Sequence, residues 1–109
     1  MAYDEELAER IRGQMAPIQG SVEKRMFGGI GFLIGGNMAC GVNRENLIVR
    51  VGPEQYDAAL AEPHVRPFDM TGRPMKGWIV VAPDGCATEA DLGSWIQRGV
   101  AIAQSLPEK

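Results

Sequence analysis

The stretch MFGGIGFLIGGNMACGV, residues 26–42, holds six of the chain's fourteen glycines, and its reading decides the fold. A dinucleotide fingerprint requires G-x-G-x-x-G at a strand-to-helix turn, with the helix amino terminus facing the pyrophosphate. Gly29, Gly31 and Gly35 give G-x-G-x-x-x-G, one residue too long, and residues 37–42 read as strand rather than helix. No G-K-[S/T] follows to make a nucleotide P-loop. A sheet accounts for the pattern better. Residues 22–27 lead across Gly28 and Gly29 into 30–34. Gly35 and Gly36, before Asn37, supply the positive φ angles of a tight hairpin, and NMACGV returns. NREN, 43–46, turns into LIVRV, 47–51. Most of these glycines are turn and bulge residues of an antiparallel meander.

The flanking segments supply the rest. Tyr3, Leu7, Ile11 and Met15 recur every four residues among charged neighbours, which predicts an amphipathic helix of about four turns. Pro17 and Gly20 stop it. Gly52 and Pro53 start a short helix, with proline at its first position and Tyr56, Ala59 and Leu60 on its apolar side. Pro63 ends it. VRPFDM is a short extended piece, TGRP turns, KGWIVVAP is the most apolar strand, and PDG turns again. Thr88 caps the last helix, with Asp91 at the capping-box position. Leu92, Trp95, Ile96, Gly99, Val100 and Ala103 share one face of it. The expected order is α-β-β-β-α-β-β-α. This is an α+β fold of two layers, helices on an antiparallel sheet, in a single domain over 1–109.

Composition narrows the function classes. Hydrophobic content of 45% and charged content of 23% are ordinary globular values. A net charge of −3 argues against a surface that grips nucleic acid all over. The charge is uneven: residues 24–76 hold seven basic and five acidic side chains, while both ends are acidic. No apolar run reaches the ~20 residues that span a bilayer. MAYDEELAER lacks the basic start and apolar core of a signal peptide. The expectation is a cytoplasmic protein, free of membrane, with Cys40 and Cys86 as reduced thiols.

Catalytic chemistry has little to build on. Cys40, His64 and Cys86 lack the paired spacing of a zinc site, so neither metal nor cofactor is expected. Cys40 sits in a strand among small residues, the setting of an inert buried thiol. With one histidine a hydrolytic triad has few ways to form. Glu5, Glu6 and Glu9, and likewise Glu54 and Asp57, read as solvated helix faces rather than acid–base pairs. No enzyme is expected. The basic residues stand out more. Lys24 and Arg25 precede the first glycine turn, Arg50 breaks an apolar strand, and Arg73 and Lys76 flank Pro74 before Trp78. Arg25, Arg50, Arg73, Lys76 and Trp78 are the candidate anion or partner-binding residues. The TGRPMK turn can expose backbone N–H groups beside two cations.

The blocks EKRMFGG (23–29), GNMACGV (36–42), LIVRVGPEQYDAAL (47–60) and RPFDMTGRPMKGW (66–78) resemble the amino-terminal domain of the TfoX/Sxy family. The likeness runs from about Tyr3 to Pro107. It implies a fold like that of secretion chaperones. It also implies a role in bacterial competence and transcription regulation through partner proteins at promoters, without enzymatic activity. Full-length members carry a second, helical domain, so a stand-alone amino-terminal domain is expected here. The first functional expectation is a monomer or homodimer that docks on a protein partner of the transcription machinery. The second is a binder of an anionic ligand, a nucleotide or nucleic-acid strand, through the basic residues.

Overall fold

The computed structural model describes residues 3–26, 28–69 and 75–107. The Asp4 carboxylate accepts from the backbone N–H of Glu6 at 2.9 Å and of Leu7 at 3.1 Å, which satisfies two amides that a helix start leaves open. Helix α1 (Glu5–Met15) follows and buries Leu7, Ala8, Ile11 and Met15. Its 11 residues make three turns rather than the four expected. Tyr3 keeps the four-residue spacing but lies before the cap, in a strand-like bridge to Arg44.

Strands β1 (Ser21–Met26), β2 (Gly29–Ile34), β3 (Asn37–Asn43) and β4 (Asn46–Arg50) then form an antiparallel meander. The α+β class and the expected order of elements hold, with one refinement. The segment 22–34 is not one run across Gly28 and Gly29. It folds back, pairing Met26 with Gly29, so it contributes two strands. Gly28, at φ 74°, supplies the reversal. The next hairpin is as expected: Gly35 and Gly36 take φ of 59° and 84°, the two-residue turn whose twist matches that of its strands.

Helix α2 (Tyr56–Leu60) begins after a turn over 53–55, so Pro53 stands outside it rather than at its first position. Proline's fixed φ suits a turn equally well. Strands β5 (Val65–Pro67) and β6 (Trp78–Val81) complete a six-stranded sheet of order β1-β2-β3-β4-β6-β5, antiparallel throughout. The TGRP turn and Phe27 fall outside the described residues. PDG forms a single 3-10 turn, Pro83–Gly85. Helix α3 (Glu89–Ser105) starts as expected, with the Thr88 hydroxyl oxygen accepting from Asp91 N–H at 3.1 Å.

Helices α1 and α3 cover one face of the sheet. Ile30, Phe32, Val42, Leu47, Val49 and Ile79 meet Ile11, Leu92 and Ile96 there, all buried. The tightest point is a β-bulge. Phe32 pairs with Cys40 and Leu33 with Met38, so Ala39 is an extra residue in β3 and turns inward beside Cys40. Helix α3 seats on this bulge through Gly99, where an added Cβ would stand 2.2 Å from the Ala39 carbonyl oxygen. On either side of Gly99, α3 is anchored further. The Trp95 indole N–H donates to the Gly85 carbonyl at 3.2 Å. The buried Asn37 amide donates to the Pro107 carbonyl at 2.9 Å, tying the end of the chain to the β2–β3 hairpin. Among the described residues no helix is long and apolar enough to cross a membrane.

Two glycines of α3 therefore have opposite roles. At Gly99 a methyl group meets backbone, so Gly99→Ala is expected to destabilise the protein by roughly 1–3 kcal/mol as helix and sheet separate. At Gly93 the nearest atoms to an added Cβ are those of the Gln14 amide, at 3.5 Å, an ordinary contact. Gly93→Ala is expected to stabilise by about 0.5–1 kcal/mol through helix propensity. Urea unfolding of both variants checks the pair of signs.

Candidate functional site

Alternation along each strand decides which side chains can work together. With Ile30, Phe32, Leu47, Val49, Ile79 and Val81 facing the helices, the opposite face carries Val22, Lys24 and Met26 from β1. It also carries Gly31 and Leu33 from β2, Met38 and Gly41 from β3, and Ile48 and Arg50 from β4. Trp78 and Val80 of β6 and Arg66 of β5 complete it. A small second cluster forms here, in which Ile48, Val80 and Phe68 are buried against Met38 and Trp78. No helix lies on this side among the described residues.

The expected binding residues divide between the two faces. Arg50 and Trp78 are direct cross-strand partners on the uncovered face, with the guanidinium 5.1 Å from the ring centroid, a cation–π contact. Lys76 is exposed in the turn that leads into β6, at the rim of the same face. Arg25 is not with them. It points to the helix side of edge strand β1, beside Tyr3, Arg12 and Glu23 around a concavity of about 260 Å³. Strands β2 and β3 separate it from Arg50, three strand spacings or ~14 Å. Arg73 lies outside the described residues. Two cations that the candidate set omitted share the face of Arg50, both exposed: Arg66 on β5, and Lys24 on β1, as many strands from Arg50 as Arg25 is. Their signal was available in the alternation itself, since Glu23, Lys24 and Arg25 on one strand cannot share a face.

Charge separates the two layers. On the helix side each arginine of α1 and α3 is paired. Arg10 meets Glu89 at 2.6 Å, Arg98 meets Glu62 at 2.6 Å, and Arg12 holds Glu23 at 2.6 Å as well as Glu9. The hydrogen bond from Arg12 keeps the Glu23 carboxyl below the usual carboxylate range, and Glu23 raises Arg12 in return. On the uncovered face no strand position is acidic. Lys24, Arg50 and Arg66 make no ion pair among the described residues.

The thiols sit elsewhere. Cys40 is fully buried under the helices, and burial pushes its pKa up to about 12. Cys86 is also buried; burial raises its pKa, with a partial opposing effect from Arg10. Among the described residues no three His, Cys, Asp or Glu side chains come together as a metal-binding group. A thiolate is the reactive form, so both cysteines are expected to resist alkylation at neutral pH in the folded protein and to react on unfolding. Labelling by iodoacetamide, read by mass spectrometry with and without urea, checks this.

The TfoX N-terminal domain family matches residues 13–103. No curated protein and no solved structure matches the chain. The family match begins inside α1 and ends inside α3, so it takes in the whole sheet. The chain belongs to the TfoX N-terminal domain family.

Proposed function

We propose that this chain is a non-enzymatic docking domain of bacterial transcription or competence regulation, acting in the cytoplasm through a protein partner. Family membership supports a regulatory role. The observation that carries the docking reading is the division between the layers. One face of the sheet is sealed by α1 and α3, with their arginines neutralised in ion pairs. The other presents Lys24, Arg50 and Arg66, without an ion pair among the described residues, around a buried apolar cluster with Val22 exposed beside it at 56%. A face of that kind gains free energy when a partner covers it, because apolar area leaves water and the cations find counter-charges. The buried, protonated thiols are poor nucleophiles and fit a non-catalytic role.

An anionic small ligand or a nucleic-acid strand is the second reading, favoured by the same unpaired cations. The two separate by photo-crosslinking in the native cell. A benzophenone amino acid at Val22 reports the uncovered face, and one at the exposed Gln97 of α3 reports the helix layer. The docking reading expects a protein adduct from position 22 and none from 97. Nucleic-acid adducts from position 22 would favour the second reading, and protein adducts from position 97 alone would move the docking surface to the helices.

A further inference from the structure

Resting on the reading that a protein partner docks at the uncovered face, we infer how it takes hold. An extended segment of the partner adds as an antiparallel strand along the free edge of β1, which widens that face by one strand. β1 stands first in the sheet order, and no strand lies beyond it among the described residues. Its residues 22–25 are all exposed. Which backbone groups face outward follows from the hairpins. Ile34 and Asn37 close the two-residue turn at Gly35 and Gly36, so Ile34 spends its N–H and C=O on β3. Alternation then turns Leu33, Gly31 and Gly29 toward β1, where they bond Val22, Lys24 and Met26. Ser21, Glu23 and Arg25 are left facing away from the sheet. The Ser21 N–H accordingly donates to the Ile18 carbonyl, at 3.3 Å. Glu23 and Arg25 make no such backbone bond among the described residues, so their N–H and C=O groups form a ladder open to a strand.

The side chains of β1 set what that strand carries, because directly opposite positions share a face. Lys24, on the uncovered face, and Arg25, on the helix face, have no ion pair among the described residues. Two adjacent carboxylates on the added strand meet them without breaking an existing contact. The carboxylate opposite Arg25 lies over the concavity of about 260 Å³ that Arg25 shares with Tyr3 and Arg12. Glu23 is already held by Arg12 and needs no charge opposite. Exposed Val22 and half-buried Met26 favour apolar neighbours. The segment therefore has two acidic residues and a neutral one between apolar ends. Main-chain bonds supply its affinity, and the charges select it. A second copy of this chain fits less well. In the register that sets Glu23 of one copy against Arg25 of the other, the two Lys24 side chains face each other as like charges.

The test uses the whole chain, isotope-labelled for NMR, and a cyclic β-hairpin peptide. One strand of the peptide reads valine, glutamate, aspartate, threonine, valine, which places the glutamate opposite Arg25 and the aspartate opposite Lys24. In the free chain the amides of Glu23 and Arg25 are expected to exchange with solvent fast, and those of Val22 and Lys24 slowly. Saturating peptide is expected to slow Glu23 and Arg25 by about tenfold or more. Methylating the peptide's outward amide nitrogens, at the glutamate and the threonine, is expected to abolish binding. The same change on the hairpin's other strand should leave binding within about twofold. Lys24→Glu is expected to weaken binding about tenfold, with circular dichroism confirming that the variant folds. Saturable binding that leaves the Glu23 and Arg25 amides fast overturns the added strand without touching the docking reading. So does equal binding of a hairpin with lysine for both acids, or no saturable binding at millimolar peptide. Exchange at Glu23 and Arg25 that slows with protein concentration in the free chain overturns it as well, because a second copy then fills the edge. The docking reading fails separately, on protein adducts from position 97 alone.

Discussion

The Ala39 carbonyl and the bare Cα of Gly99 meet at a distance that leaves no room for a Cβ, and the two layers depend on that approach. The bulge in β3 turns two consecutive residues, Ala39 and Cys40, toward α3, and the helix seats on the resulting flat spot. Leu92, Trp95 and Ile96 are thereby carried onto the sheet, and α1 packs beside them. Because both long helices are committed to this one side, no helix covers the opposite face among the described residues.

That asymmetry organises the charges. Glu5 and Glu6 at the start of α1 and Glu89 at the start of α3 suit the positive ends of the helix dipoles. Glu89 also holds Arg10, while Glu9 and Glu23 hold Arg12 and Glu62 holds Arg98, so each arginine of the two helices is spent in an ion pair. Among the described residues the uncovered face has no helix start and no acidic strand position, so its cations keep their charge available. The same separation explains how an acidic chain presents a basic surface. Lys24 and Arg66 on the two edge strands also serve a second purpose. Charged side chains on edge strands discourage uncontrolled pairing with other sheets.

Much of the fold was legible in the sequence for identifiable reasons. Gly35 and Gly36 before Asn37 could only make a tight hairpin. Thr88 announced the start of α3, and its apolar positions all proved to be buried. Other features had no local signature. The reversal at Gly28 was hidden because apolar residues flank it on both sides and read as one strand. The bulge at Ala39 was invisible, since alanine neither favours nor forbids one. The binding surface was half legible. Arg50 and Trp78 were singled out and do meet. Arg25 was grouped with them because proximity to a glycine turn says nothing about which face a strand residue takes. That depends on which side the helices cover, and only the packing of Gly99 on Ala39 decides it. Arg66 was passed over inside VRPFDM for the same reason: its place on the face of Val80 exists only once β5 pairs with β6.

The central claim is that regulation runs through the uncovered face of the sheet. The most direct measurement is the transcript profile of the native cell when the chromosomal copy carries both Lys24→Glu and Arg66→Glu, compared with a deletion. The account predicts that the two profiles coincide while the variant protein remains folded and abundant. A profile indistinguishable from the unmodified cell, alongside a deletion that does change it, would contradict the account.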